Sequence, residues 1–128
     1  MQDKPVVWFE LYVKDMARAR SFYEALLEVK LEALDSPDQG ARMMVFPGAM
    51  EQGGQGVSGA LVEQADGPPP GAGGTMVYFG GEDCAVPAGR AAALGGRLVQ
   101  DKVSIGPYGF CAVVEDPDGN RIGLHSMA

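Results

Sequence analysis

The sequence predicts an α+β fold in which a β-α-β-β-β unit occurs twice. Each half of the chain begins with an apolar strand, continues with a helical segment and ends with three more strands. Residues 67–74, almost entirely glycine and proline, separate the halves and suit neither a helix nor a strand. A turn at residues 115–121 lies between two apolar segments and predicts an antiparallel hairpin in the second half.

The strand that opens the first half, predicted over residues 6–13, has two different faces. Its odd-numbered residues form a purely apolar face, which we expect to meet helices. The other face carries Trp8, Glu10 and Tyr12, and so combines aromatic rings with a carboxylate. This mixture is more typical of a half-polar cavity than of a dry core.

A helix is predicted over residues 16–29, with Asp15 as its N-cap. Apolar side chains recur in it at spacings of three and four residues and form one stripe. The other strands of the first half are predicted at residues 30–34, 41–46 and 57–62. Between these strands, residues 35–40 form a predicted turn and the glycine-rich residues 50–56 a predicted mobile loop.

The second half follows the same order of elements. Its predicted helix covers residues 84–94, and Glu82 or Asp83 is the expected N-cap. Gly89 weakens this helix, and Gly95 is its expected left-handed stop. The strands of this half are predicted at residues 75–79, 97–100, 110–115 and 121–126.

The turn at residues 115–121 is the clearest local signal in the chain. Pro117 pre-sets one backbone dihedral of a tight turn. Gly119 and Asn120 tolerate a positive φ, which such hairpin turns require. The turn therefore fixes the two flanking segments as neighbouring antiparallel strands.

The length and charge of the chain limit its class. With 128 residues we expect one domain, with a first module at about residues 5–64, a linker at 65–73 and a second module at about 74–126.

The net charge of −7 argues against nucleic acid and anionic membrane partners, which need clustered Lys and Arg. The sequence contains neither an apparent signal peptide nor an apolar run that could span a membrane, so we expect a cytoplasmic protein with Cys84 and Cys111 as free thiols.

Three stretches carry a resemblance to a known family. They are residues 11–15 followed by 21–23, residues 94–97, and residues 116–122. In their order and spacing these stretches resemble the vicinal oxygen chelate superfamily, also called the glyoxalase/bleomycin-resistance/dioxygenase superfamily. The resemblance implies two βαβββ modules whose mixed sheet curls into a half-barrel around a cleft, with the helices outside. It also implies a homodimer, which is usual for small members.

The metal-dependent relatives hold a divalent ion in that cleft on His and Glu side chains. The resemblance places Trp8, Met76 and Gly123 at three of the ligand positions. If the register shifts by one residue, Thr75 takes the place of Met76. The fourth position falls near residues 58–60, which contain no acid, and the next acid along the chain is Glu63. Indole, thioether and glycine supply no ligand for a hard cation. We therefore expect no metal, no cofactor and no metal-dependent glyoxalase or dioxygenase activity.

Alternation along the strands indicates which side chains line the inferred cleft. The predicted ligand-binding residues are Trp8, Glu10, Tyr12, Phe46, Met76, Tyr78, Phe110, Arg121, Gly123 and His125, with Met44 and Tyr108 as further contacts. Gly123 leaves space in which a planar ligand could lie beside Trp8. Glu10 is either a buried base or the ion-pair partner of Arg121, and His125 is either a base or a surface residue near the rim.

Three functions follow from this reading, and the sequence does not identify the ligand. The first is a metal-free small-molecule-binding protein, in the manner of the drug-sequestering members of the superfamily. The second is an enzyme with metal-independent acid–base chemistry, with Glu10 and His125 as the catalytic candidates beside Tyr12 and Tyr78. The third is a dimeric scaffold whose cleft is filled by Trp8, Met76 and Tyr78.

Overall fold

The computed structural model describes residues 5–35, 40–48, 56–71 and 73–128. Its elements in chain order are β1 (Val6–Tyr12), α1 (Met16–Leu27), β2 (Glu32–Leu34), β3 (Ala41–Val45), β4 (Gly59–Gln64), β5 (Thr75–Gly80), α2 (Ala85–Ala88), β6 (Arg97–Ser104), β7 (Phe110–Glu115) and β8 (Arg121–Ser126). Two short 3₁₀ turns, Ala92–Leu94 and Gly106–Tyr108, lie between α2 and β7. The predicted α+β class and the order of elements are confirmed.

The chain divides into two compact units. The amino-terminal unit is Trp8–Thr75, and the carboxyl-terminal unit is Met76–Ala128 together with residues 5–7. The strand order is β2-β3-β4-β1 in the first and β5-β8-β7-β6 in the second. In both units the opening strand pairs in parallel with the last strand, and the other pairs are antiparallel. The two mixed sheets thus have the same topology, as a tandem βαβββ repeat predicts.

Helix α1 covers one face of the amino-terminal sheet. The Asp15 side chain accepts a hydrogen bond from the Arg18 N–H at 3.1 Å, so Asp15 is the N-cap that the sequence predicts. The helix ends at Leu27 rather than at residue 29 because Glu28 adopts a left-handed conformation with φ of 54°. Met16, the buried residue of this helix, packs in one cluster with the buried residues Leu31, Met44 and Leu61.

The second helix is much shorter than the predicted segment 84–94. Only Ala85–Ala88 is α-helical, and a 3₁₀ turn follows at Ala92–Leu94. Gly89 closes the short helix, as expected from the poor helix propensity of glycine. Asp83, one of the two predicted caps, accepts a hydrogen bond from the Ala85 N–H at 3.0 Å, and Gly95 has the predicted positive φ of 92°.

The hairpin of β7 and β8 forms with the predicted strand bounds. Asp116 organises its turn, because its carboxylate accepts hydrogen bonds from the Asp118 N–H at 2.9 Å and the Asn120 N–H at 2.8 Å. Asn120 Nδ2 donates a third bond to this carboxylate at 2.8 Å. This bond is the largest of the effects that lower the pKa of Asp116 below its ordinary value. Gly119 has the predicted positive φ of 87°, whereas Asn120 does not need one.

Three strands, β2, β4 and β6, differ by two residues or more from their predicted bounds, and β1, β3 and β5 differ by one residue at one end. β2 begins at Glu32 rather than at residue 30. β6 continues to Ser104, with register shifts against β7, where the sequence predicts an end at residue 100. β4 covers Gly59–Gln64 instead of residues 57–62. The core of the predicted turn at 35–40 and nearly all of the predicted loop at 50–56 lie outside the described residues. Within the part of the chain that is described, no helix has the length and apolar character needed to cross a membrane.

Candidate functional site

Three side chains on one face of β1 form a hydrogen-bonded array. Glu10 Oε1 accepts a bond from the Tyr12 hydroxyl at 2.7 Å, and Glu10 Oε2 accepts one from Trp8 Nε1 at 3.2 Å. Residues two apart on a strand point to the same face, so the predicted alternation of β1 brings the three together. Glu10 is only 8% exposed, and the array therefore presents a mostly buried carboxylate between two aromatic donors.

The array lies on the sheet face opposite α1. Trp8 and Tyr12 pack against the buried residues Val45, Ala60 and Val62. In the β1–β4 register Glu10 faces Ala60, a small apolar neighbour that is fully buried. The carboxylate is thus set among apolar groups, where a hydrogen bond to it is strengthened because water is largely excluded.

Phe46 does not belong to this face, although the sequence analysis places it and Met44 among the cleft residues. Its ring lies 5.6 Å from the Phe9 ring and 6.1 Å from the Tyr23 ring, on the α1 side of the sheet. Met44 is buried in the same helix-side cluster. The neighbours of Trp8 from β3 are Met43 and Val45 instead, so the predicted facing of this strand is off by one residue.

In the carboxyl-terminal unit, Gly123 is covered by a side chain of its own unit. A Cβ at this position would lie 2.6 Å from Cγ of Tyr78, whose ring occupies the space above the glycine. Tyr78 and Gly123 are register partners on the parallel strands β5 and β8. The space that the sequence analysis assigns to a planar ligand is therefore filled by the Tyr78 ring. Met76, on the same face of β5 by alternation, is only 3% exposed.

Phe110 packs with the cluster beneath α2, which contains Cys84, Ala112 and Leu124. The Lys102 ammonium lies 4.7 Å from the centre of its ring. Because Gly123 alternates with Leu124, Phe110 faces the opposite side of the sheet from Gly123. Like Phe46, it therefore belongs to a helix-side core. Cys84 is buried and Cys111 partly buried, and both are free thiols.

His125 is partly buried and bonded to the backbone. Its Nε2 lies 2.6 Å from the Tyr108 carbonyl oxygen. A carbonyl oxygen only accepts, so Nε2 carries the proton and Nδ1 is the nitrogen that remains as an acceptor when the ring is neutral. Tyr108 thus contributes through its backbone by orienting His125.

Arg121 forms an ion pair with Glu115 at 3.8 Å, and Arg97 bonds to the same carboxylate at 2.7 Å. Glu115 and Arg121 are opposite each other at the start of the β7–β8 hairpin. The structure thus gives Arg121 an acidic partner beside the turn. The pairing of Arg121 with Glu10 stays a prediction.

The residues at the positions that the resemblance assigns to metal ligands do not offer donors suited to a hard divalent cation. Trp8 offers an indole N–H that donates to Glu10, and Gly123 offers no side chain. Glu63, the first acid after residues 58–60, directs Oε2 to the Met16 N–H at 2.7 Å. Among the described residues, no group of three His, Cys, Asp or Glu side chains is placed to hold a metal ion.

A cavity that the sequence does not predict lies beside the start of α1. It has a volume of about 480 Å³, and its charged lining residues are Lys14, Arg42 and Glu63. Lys14 falls within one of the stretches that carry the family resemblance, but nothing in the linear sequence brings it near Arg42. The pairing of β3 with β4 places Arg42 beside Glu63 and so forms part of the cavity wall.

Comparison with known families gives a match over nearly the whole chain. The model of the Glyoxalase/Bleomycin resistance protein/Dioxygenase superfamily matches residues 6–124. A search of curated proteins finds none that matches this chain.

Solved structures show the same fold at low sequence identity. Methylmalonyl-CoA epimerase from Mycobacterium tuberculosis has a TM-score of 0.66 at 18% identity, and the match covers 100% of this chain and 93% of that one. A hypothetical protein from Bacillus halodurans has a TM-score of 0.69 at 15% identity, with coverage of 98% and 95%. Methylmalonyl-CoA epimerase from Streptomyces coelicolor, in complex with 2-nitronate-propionyl-CoA, has a TM-score of 0.64 at 16% identity, with 97% coverage of both chains. These similarities establish the fold alone.

Proposed function

This chain belongs to the glyoxalase/bleomycin resistance protein/dioxygenase superfamily, and from that premise we propose that it binds a small organic molecule without a metal ion and sequesters it. The observation that carries the proposal is the Trp8–Glu10–Tyr12 array. The fold is retained, while three of the family's ligand positions hold side chains that cannot coordinate a hard cation. Binding by hydrogen bonds and aromatic contact is the function that these residues support.

The array favours a neutral or cationic ligand with a flat apolar body. Glu10 is held in place by two donors, so it can accept from a ligand N–H without first reorganising. Trp8 and Tyr12 flank the carboxylate and supply π faces that attract cations. The net charge of −7 acts in the same direction over a longer range.

The carboxyl-terminal unit offers a second set of proposed contacts, described within that unit. His125 has Nδ1 as its remaining acceptor, and Tyr78 carries a hydroxyl on the face opposite α2. We propose these two with Met76 and Arg121 as ligand contacts. Phe46 and Phe110 are left out of the set because both pack in helix-side cores.

Fluorescence of Trp8, the sole tryptophan of the sequence, tests the proposal directly. A panel of cationic aromatic amines and a basic glycopeptide of the bleomycin class is titrated into the protein. We expect saturable quenching by at least one compound, and Glu10→Gln should weaken it about tenfold because a charge-assisted hydrogen bond is lost. Glu32→Gln is the matched control, since it removes the same charge from the exposed strand β2.

Metal analysis separates this proposal from a metal-dependent site. After incubation with Mg²⁺, Mn²⁺, Ni²⁺ and Zn²⁺ and removal of free ions, we expect no stoichiometric metal on the protein. EDTA should leave the quenching titration unchanged. Stoichiometric metal, or a panel in which no compound quenches Trp8, would overturn the proposal.

A metal-independent enzyme is the alternative, because a buried carboxylate held by two donors is also suited to proton transfer. Glu10 would be the base, and His125 would act through Nδ1. In that case a quenching compound should be converted on prolonged incubation, and Glu10→Gln should lower kcat about 100-fold or more with little change in affinity. Mass spectrometry that recovers the compound unchanged supports sequestration instead.

We propose that the working form is a cytoplasmic homodimer, as the resemblance of the chain to small members of the superfamily implies. Sedimentation equilibrium at micromolar concentration checks the assembly. A mass of twice the 13.4 kDa chain is expected. A monomer at all concentrations would contradict this part of the proposal without affecting the binding test.

A further inference from the structure

The cavity beside α1 lies where β3 begins and β4 ends, and it shares no lining residue with the Trp8–Glu10–Tyr12 array. Arg42 and Glu63 line it from the α1 side of the sheet, whereas Ala41 and Gln64, which alternate with them, line it from the other side. The cavity volume of about 480 Å³ falls in the usual range for small-molecule sites. It is therefore separate from the site proposed above and has room for a ligand of its own.

The charges in this cavity are unbalanced. Lys14 and Arg42 both line it, and among the described residues neither side chain has a hydrogen-bond or ion-pair partner. Both side chains are exposed to solvent, and together with Glu63 they leave the charged lining with one more positive than negative group, in a chain with a net charge of −7. They create a local positive potential that a surface rich in carboxylates would otherwise neutralise.

The acid best placed to neutralise Arg42 is engaged elsewhere. Arg42 and Glu63 are direct neighbours across β3 and β4, a position in which opposite charges usually attract. Glu63 instead accepts a hydrogen bond from the Met16 N–H at 2.7 Å, at the first turn of α1. Asp15 accepts from the Arg18 N–H in the same turn. Both carboxylates thus bond to N–H groups of the first turn of α1 and keep their charge, and Arg42 forms no ion pair with Glu63 among the described residues.

We propose that this cavity binds a small organic oxyanion, held by Lys14 and Arg42. The guanidinium of Arg42 can bond two oxygens of a phosphate or carboxylate at once, and the Lys14 ammonium adds a point charge. Val13, Ala41 and Pro70 supply apolar lining for the body of the ligand. The ligand class is therefore a phosphate or carboxylate on a short apolar group.

Calorimetric titration with phenyl phosphate, benzoate and inorganic phosphate at low salt tests this inference. We expect saturable binding of phenyl phosphate or benzoate, and their relative affinities tell which anion is preferred. Inorganic phosphate should bind more weakly than phenyl phosphate because it lacks an apolar body. Lys14→Ala and Arg42→Ala should each weaken binding about tenfold.

Two further variants should change the affinity differently: the first should leave it unchanged and the second should raise it. Arg90→Ala removes an exposed arginine from the carboxyl-terminal unit and should leave the affinity unchanged. Glu63→Gln keeps an oxygen that can accept from the Met16 N–H but removes the negative charge, so it should tighten binding. Absence of saturable binding, equal weakening by Arg90→Ala, equal affinity for the two phosphates, or weakening by a folded Glu63→Gln would each overturn the inference.

Discussion

The ring of Tyr78 lies over Gly123, its register partner on the neighbouring parallel strand. In the amino-terminal unit Phe9 similarly lies against Gly59, its partner on β4, but on the helix side of the sheet and with its carbonyl oxygen as well as its ring. In both units the glycine lets an aromatic ring of the opening strand approach the backbone of the last strand. A side chain at position 123 and the ring at position 78 would compete for one space.

Gly123→Ala should destabilise the protein by about 1–3 kcal/mol, since the new Cβ would collide with the Tyr78 ring. Urea denaturation measures the loss. Gly81→Ala is the matched control, because a Cβ there meets nothing within 4 Å, and we expect little change. The Tyr78→Ala background should reduce the cost of Gly123→Ala. Equal costs in both backgrounds would show that the ring is not the cause.

Loss of the Tyr12 hydroxyl should weaken the array that centres on Glu10. Tyr12→Phe removes the 2.7 Å bond to a buried carboxylate, and we expect a loss of about 1–3 kcal/mol in the free energy of unfolding. Tyr23→Phe removes a hydroxyl with no hydrogen-bond partner among the described residues, so it should be near neutral. If both variants lose the same stability, the bond to Glu10 contributes nothing specific.

Gly89→Ala should stabilise the protein by about 0.5–1 kcal/mol. Gly89 has φ of −69° and ψ of −13°, values that alanine adopts without strain. A Cβ there would meet Ala85 and Val86 carbonyl oxygens at ordinary contact distances of 3.4 and 3.6 Å. Thermal unfolding followed by circular dichroism should show a higher Tm. A lower Tm would mean that the break after Ala88 is required by packing and not merely permitted by glycine.

Local patterns in the sequence predicted the parts of the fold that local physics controls. The alternation of β1 placed Trp8, Glu10 and Tyr12 together, and Asp15 marked the start of α1 correctly. The hairpin turn also formed as predicted, because its hydrogen bonds all come from residues 116–120.

Several errors concern features that depend on pairing between distant segments, whereas the overlong second helix is a local error, because the chain leaves the helix at Gly89. The facing of Phe46 depends on how β3 registers with its neighbours, and one residue of shift reverses a side chain. Phe110 differs, because in the local β7–β8 hairpin Val113 faces Gly123 and alternation then places Phe110 on the other side of the sheet. The contact of Tyr78 with Gly123 requires the register of β5 and β8. The cavity at Lys14 and Arg42 needs both α1 and the β3–β4 pair, so no linear motif could reveal it.

Acid should destabilise this protein through carboxylates that are hydrogen-bonded only when it is folded. A hydrogen bond from the Asn120 side chain lowers the pKa of Asp116 below its ordinary value of 3.8. A hydrogen bond from the Lys102 ammonium likewise lowers the pKa of Asp83. The Leu31 N–H lowers the pKa of Glu24 below its ordinary value of 4.5. The unfolded chain therefore binds protons more readily. Stability should be flat from pH 7 to about 5 and then fall as the pH drops through the folded-state pKa values.

Urea midpoints measured between pH 7 and 3 test this loss of stability at low pH, called the acid limb below. Two variants show which carboxylate causes it. Asp116→Asn cannot take up the proton, so it should be less stable at pH 7 and should lose less stability on acidification. Asp118→Asn removes a neighbouring carboxylate whose oxygens accept no hydrogen bond among the described residues, and its acid limb should match that of the unmodified protein. An unchanged limb in Asp116→Asn, or a limb equally flattened in Asp118→Asn, would show that the turn carboxylate does not cause the acid sensitivity.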